Sequence, residues 1–318
     1  MIRRRANTTP AANKNTTGAS FATIPSRLVT CPTPPIPSRV ECTGPGDRGL
    51  SRLGGTMEAF YVPDSGDPNR FHSTELTRGP WSPDAQHAGP PSALLGHVIE
   101  RCEPREGFRV GRVSVEILGP IPIAPLTAAA WVSRPGRSVE LIEATLSTDQ
   151  GPVLKANAWR LRQADPELEI PREVLPVGIH PGPESARSEP FPSTQSIGFH
   201  TGIEYRFIKG TFDEAGPAVC WIRLRYPIVA GTSPSPLERT LAAADSGNGV
   251  SSVLDWDQYL FINTDLTVTL HREPAGEWVC LDATTYPDRT GIGLAESRLF
   301  DEKGPLGRST QTLFLSPR

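Results

Sequence analysis

The chain has 318 residues, long for one domain and natural for two, each able to bury a core. Charge divides unevenly: residues 1–56 carry eight Lys or Arg against Glu41 and Asp47, and the rest carries 24 cations and 33 anions, a body too acidic for a nucleic-acid partner. No apolar run reaches bilayer-spanning length, so a soluble protein with no membrane partner is expected. Cys31, Cys42, Cys102, Cys220 and Cys280 are odd in number and scattered, with no CxxC or ligand spacing. That pattern signals neither a disulfide framework nor a zinc site, and it points to a reducing, cytoplasmic compartment with no metal or cofactor.

Residues 1–56 are rich in Pro, Thr, Ser and Asn and show no periodicity, which predicts a disordered tail. Met1 and Met57 are the only methionines, and ordered-looking sequence begins just after Met57, at Ala59-Phe60-Tyr61, making Met57 a candidate start. His87-Ala88-Gly89-Pro90-Pro91 forms a turn leading into an apolar helix over about 92–102, whose buried face is Ala93, Leu94, Leu95, Val98 and Ile99. Strands follow at 110–118, 127–133, 138–147 and 153–162, rich in Val, Ile, Leu or Trp between Gly and Pro turns. With that helix they make an N-terminal domain over 57–164, and Pro-rich 165–192 reads as a linker.

The order then returns over 193–318: strands at 203–207 and 218–226, a helix from Ser235 to about Asn248, and strands at 262–270, 278–284, 293–300 and 309–315. Gln150-Gly151-Pro152 before one last strand matches Lys303-Gly304-Pro305 before the other, an offset of 153 residues. A helix covered by an antiparallel sheet, twice over, is an α+β layer architecture.

The two copies differ chemically. At helical spacing Leu237, Leu241, Asp245 and Asn248 share one face, so Asp245 lies on the side that would otherwise bury Leu. An unpaired charge there is costly, and the helix end near Gly247 disfavours an anion. Two readings stay open: a reactive carboxylate, or a polar helix stop in Asp245-Ser246-Gly247-Asn248-Gly249. The repeat sets Asp245 opposite Cys102 and Gln311 opposite Ala158, so only the second copy carries the polar set.

The stretches GPWSPDAQHAGPPSALLGHV, AAADSGNGV, FINTDLTVTLHR and STQTLFL, in this order, resemble the double-hotdog acyl-CoA thioesterases of the thioesterase II type over roughly residues 58–316. The resemblance implies a tandem hotdog, each a long central helix wrapped by an antiparallel sheet. It further implies an Asp, a Thr or similar polar residue, and a Gln that bind the water attacking the thioester of an acyl-CoA. Asp245 matches the Asp and Gln311 the Gln; the middle position falls on Asn263, with Thr264 the neighbouring hydroxyl after a one-residue shift. Strand alternation groups Ile262, Thr264, Leu266 and Val268 on the apolar face and leaves Asn263 with Asp265 and Thr267. Asp245 would act as base, while Asn263 and Gln311 would fix the water.

His87 and Gly89 open the first helix where ligands approach, so both join Thr264 as candidate substrate contacts. His97 and His271 lack triad or metal-ligand partners and read as structural. There is no GxSxG, and Gly291-Ile292-Gly293 lacks the third glycine of a dinucleotide loop. A hotdog hydratase would want an Asp and His close in sequence, which 245–250 lacks; a module that only binds acyl groups is the other alternative. Sheet edges leave homo-oligomer formation open.

Overall fold

The computed structural model describes residues 59–318; the predicted tail, the Met57 start, Cys31 and Cys42 lie outside the described residues. A short hairpin, β1 (Tyr61–Pro63) and β2 (Arg70–Ser73), precedes α1 (Gly89–Arg101). Sequence reading passes over this hairpin because three and four residues are too few to display alternation. Then come β3 (Phe108–Ile117), β4 (Pro125–Arg134), β5 (Val139–Thr148) and β6 (Gly151–Arg162), each within two residues of its predicted bounds.

The stretch read as a linker is partly tied to the sheet. It contains β7 (Arg187–Ser188), and the Trp221 indole N–H donates to Pro181 O at 2.8 Å while Arg206 donates to Pro183 O at 3.0 Å. Beyond it lie α2 (Phe199–Gly202), β8 (Ile203–Lys209) and β9 (Ala218–Leu224).

The second central helix is shorter than its sequence suggests. α3 (Pro236–Ala244) is started by Ser235, whose Oγ accepts from Glu238 N–H, with Pro236 at the first position. It spans nine residues and stops at Asp245; a separate turn, α4 (Gly247–Val250), follows. The physical reason is the pair of glycines flanking Asn248, which weaken helix continuation, together with Gln311, whose side chain satisfies backbone groups at the break. The long central helix expected here is therefore corrected to a helix and a turn.

The predicted strand 262–270 is likewise two strands, β10 (Tyr259–Asn263) and β11 (Asp265–Leu270). Both pair with β14 (Gly304–Pro317), which follows β12 (Trp278–Pro287) and β13 (Ile292–Asp301). Asn263 stands opposite Leu313, but Thr267 stands opposite Thr310, so one extra residue is inserted at Thr264–Asp265. Such a bulge reverses the side-chain parity across it. Phe261 and Asn263 consequently face inward before it and Leu266, Val268 and Leu270 after it, while Ile262 is turned outward, 36% exposed. The alternation predicted for Asn263 and Thr264 is overturned by this bulge.

Fourteen strands form one antiparallel sheet, with thirteen in the order β1-β2-β4-β5-β6-β3-β11-β14-β13-β12-β9-β8-β7 and β10 attached to β14. Outward from the β3–β11 seam the order is alike on both sides: β6, β5, β4, β2, β1 on one and β14, β13, β12, β9, β8 on the other. The seam pairs Val113 with Val268 and Val115 with Leu266. α1 and α3 run antiparallel against each other, as contacts Glu100–Ser235 and His97–Glu238 show. Their approach is close: a Cβ on Gly89 would stand 2.7 Å from Ala242 O, and one on Gly96 2.7 Å from Leu241 Cδ1.

Leu94, Leu95 and Leu241 are fully buried in one apolar cluster with Val113, Val268 and Leu299, at about 1.5–3 kcal/mol per side chain. Among the described residues no helix is long and apolar enough to cross a membrane.

Candidate active site

The antiparallel crossing of the two helices fixes the site. The C-terminal end of α3 carries Asp245 and meets the N-terminal end of α1, so the anion disfavoured by its own helix faces the positive end of the other. Asp245 is 3% exposed, and its carboxylate is surrounded by donors. Asn263 Nδ2 donates to Oδ1 at 2.8 Å and Gln311 Nε2 to the same oxygen at 3.3 Å, while His87 Nδ1 lies 2.9 Å from Oδ2. The buried charge is thus hydrogen-bonded on both oxygens, as a carboxylate in a core must be.

Gln311, 1% exposed, also donates to Asp245 O at 3.1 Å and accepts from Asn248 N–H at 3.0 Å through Oε1. One amide therefore ties the end of α3, the start of α4 and the last strand into one unit. Gly247 permits this, since a Cβ there would come within 3.0 Å of Gln311 Oε1. Asn248 Nδ2 donates to Phe261 O at 3.1 Å and holds β10 beside the same turn. Both amides that sequence reading assigned to a water are aimed at the carboxylate itself.

His87 precedes α1 and is stacked on Phe199, ring centroids 4.2 Å apart. Its Nδ1 accepts from Gly89 N–H at 3.0 Å while facing Asp245 Oδ2. A single ring nitrogen cannot accept from one neighbour and donate to the other along the same lone pair. Either Nδ1–H points to a carboxylate or a carboxyl O–H points to Nδ1, so His87 and Asp245 share one proton position. Thr264 is placed differently: its hydroxyl is exposed and turned to Thr312 O at 3.4 Å, on the rim and away from the carboxylate. His97 is buried on Glu238 at 2.8 Å between the helices.

A cavity of about 440 Å³ reaches this cluster. Its lining includes His87, Asp245, Asn263 and Thr264 and the rings of Trp81, Phe191, Phe199, Tyr205, Phe212 and Trp256. Trp81 and Trp256 stack with centroids 5.0 Å apart. His200 also lines it, and burial pushes its imidazole below the ordinary value although it bonds to Gln195 O. Sequence reading missed these aromatic groups because α2, β8 and separate loops supply them, with no common period. At the end of α1 the residue that follows the helix is Cys102 in place of an acid; there Arg160 donates to Cys102 O at 2.7 Å and to Glu103 O at 2.9 Å and pairs with buried Glu140.

An antiparallel sheet packed around central helices is the hotdog arrangement. Structural likeness agrees. A Thermobifida fusca protein assigned to thioesterase II superposes with TM-score 0.63 at 19% identity, over 80% of this chain and 95% of that one. A hot-dog-fold protein of unknown function from Alicyclobacillus acidocaldarius gives 0.61 at 16%, over 79% and 94%. The acyl-CoA thioesterase II TesB2 from Mycobacterium marinum gives 0.53 at 15%, over 80% and 95%. No curated protein matches the sequence. Two family models do: the acyl-CoA thioesterase N-terminal domain over residues 77–161 and the acyl-CoA thioesterase C-terminal domain over 183–315. The chain belongs to the acyl-CoA thioesterase family.

Proposed function

We propose that this protein hydrolyses acyl-CoA thioesters to the free acid and CoA, with Asp245 as the base, and that it is two hotdog units in tandem, 57–164 and 193–318, joined by 165–192. The observation that carries the reading is the buried carboxylate at the cavity wall with a donor set that leaves one place free. An ionised carboxylate offers about four acceptor positions. Asn263 and Gln311 occupy those of Oδ1 and His87 one of Oδ2, so the attacking water donates to the remaining position on Oδ2.

The water oxygen forms the new bond to the thioester carbonyl carbon as its proton passes to Asp245 Oδ2. The carbon–sulfur bond then breaks, and the CoA sulfur takes up that proton. Asn263 and Gln311 keep the carboxylate oriented, and His87 holds Oδ2 in line. Carbonyl polarisation falls to Gly89 N–H: when Nδ1 of His87 carries the proton and donates to Oδ2 it no longer accepts from Gly89, whose N–H is then released, while Pro90 and Pro91 have none. Thr264 on the rim lies where the pantetheine arm would enter.

Asp245→Asn tests the reading. It keeps a hydrogen-bonding group of the same shape, so the fold should persist while thiol release from acyl-CoA slows about 10²- to 10⁴-fold, the range of general-base catalysis. An unchanged rate removes Asp245 from the mechanism.

A further inference from the structure

Six large aliphatic side chains stand in the open between β6 and β7. Leu168, Ile170, Val174, Leu175, Val177 and Ile179 are 45% to 79% exposed, in an arm where every residue from 161 to 179 is exposed. Single exposed apolar residues are ordinary, but half of a twelve-residue stretch is not.

A second bare surface lies on the outer face of the second half. Ile262, Phe314 and Ile292 stand directly opposite one another across β10, β14 and β13, and Leu294 and Tyr286 extend the patch on β13 and β12. These five side chains are 36% to 63% exposed. The other end of the same face is covered by the chain itself: the His180 ring stands edge-on to Phe300, centroids 4.5 Å apart, and Ala186 packs with Trp221 and Trp278.

Arm and patch belong to opposite ends of the fold. Both ends of the arm are tied near the β13–β14 turn: Gln163 N–H donates to Gly107 O at 2.7 Å, close to Arg109, which donates to His271 O, while His180 meets Phe300. His271 N–H in turn donates to Leu306 O at 3.0 Å. Leu306 and Phe300 each lie eight residues along their strands from the patch row, at Phe314 and Ile292, about 27 Å. None of the six arm side chains is more than seven residues from a tie, a reach of at most about 25 Å. The arm therefore cannot cover the Ile262–Phe314–Ile292 row of its own chain. Two copies laid side by side in opposite directions bring the arm of each to the patch of the other, and a single twofold axis closes both contacts.

The area suffices. At about 60–120 Å² per large apolar side chain, the figure implied by about 1.5–3 kcal/mol at about 25 cal/mol per Å², the eleven partly exposed groups offer on the order of 500 Å² per copy. A standard interface takes about 800 Å² per partner, of which roughly 450 Å² is apolar.

We propose that this protein forms a twofold dimer by arm exchange, with residues 168–179 of each copy lying on the Ile262–Phe314–Ile292 patch of the other. Ile262 also lines the cavity, so the partner's arm borders the mouth of the candidate active site. The assembly is independent of the reaction assigned to that cavity.

Sedimentation velocity of the full chain between about 1 and 100 μM reads the assembly. The variants are Val177→Glu in the arm, Ile292→Glu in the patch and, as control, Val139→Glu at an exposed position of β5 in the first half. Wild type is expected to be a dimer. Each of the first two charges enters the interface twice, so each should raise the dimer dissociation constant about 100-fold, roughly tenfold per contact, while Val139→Glu leaves it unchanged. Circular dichroism checks the fold of every variant; where a charge prevents folding, Val177→Ser or Ile292→Thr takes its place and should weaken the dimer in the same direction. A wild type that stays monomeric at the highest concentration overturns the proposal, whether residues 1–58 or nothing covers its patch. So does a dimer that either the arm or the patch variant leaves intact, or one that Val139→Glu weakens equally.

Discussion

Gly89→Ala probes the helix crossing on which the site depends. Its Cβ would stand 2.7 Å from Ala242 O and 3.1 Å from both His87 Nδ1 and Phe199 Cζ. Ordinary contact begins near 3.4 Å, so a backbone atom of α3 would have to retreat by over half an ångström. Overpacking of this kind costs about 1–3 kcal/mol. At roughly 2–4 °C per kcal/mol for a domain of this size, the melting temperature should fall by about 2–12 °C. The same shift carries His87 and Gly89 N–H away from Asp245, and misplacement by about 1 Å costs on the order of 10²-fold in rate. Gly96→Ala is the control, because its Cβ also meets an atom at 2.7 Å, but that atom is Leu241 Cδ1, the end of a side chain that can rotate. Ala in place of a helix-interior Gly gains about 0.5–1 kcal/mol, which offsets the adjustment. The comparison is read by thermal melting and thiol release from acyl-CoA. If Gly89→Ala melts and turns over like Gly96→Ala, the close approach does not set the site.

Gln311→Ala should destabilise through two buried backbone groups, Asn248 N–H and Asp245 C=O, left unpaired at about 1–3 kcal/mol each, and should also slow hydrolysis; denaturant unfolding and the thiol assay measure both. The Asp301 carboxyl is pushed up by burial, but Arg272 and the N–H groups of Ala275 and Lys303 outweigh this and hold it below its ordinary value. A depressed folded-state value means that its stabilisation is complete above the unfolded value near 3.9 and disappears as pH falls through the lower folded one. Unfolding midpoints measured from about pH 5 downward should therefore fall more steeply for wild type than for Asp301→Asn, and equal slopes would contradict the assignment.

Much of the architecture is legible in the chain because long strands and α1 state their periods plainly: Val113 and Val115 alternate, and Leu94, Leu95 and Ile99 repeat at helical spacing. What escapes is decided by tertiary contact. The stop of α3 at Ala244 depends on Gln311, 66 residues beyond Asp245, reaching back to the open helix end. The inward turn of Asn263 depends on a bulge visible only from the register against β14. Asp245 could be singled out because a charge on a face of Leu has no local partner, whereas Tyr205 and Trp256 look like ordinary strand and loop aromatics until the chain is folded.

The cluster around Asp245 draws members from both sides of the seam: His87 and Gly89 come from the first half, and Asp245, Asn263 and Gln311 from the second. On the proposed reading neither half carries the whole site on its own. On that reading the end of α1 has no water to activate, and there Arg160 braces the helix end by donating to Cys102 O. The site then spans the seam, so an exchange that replaced only one of the two halves would take apart a cluster that both must supply.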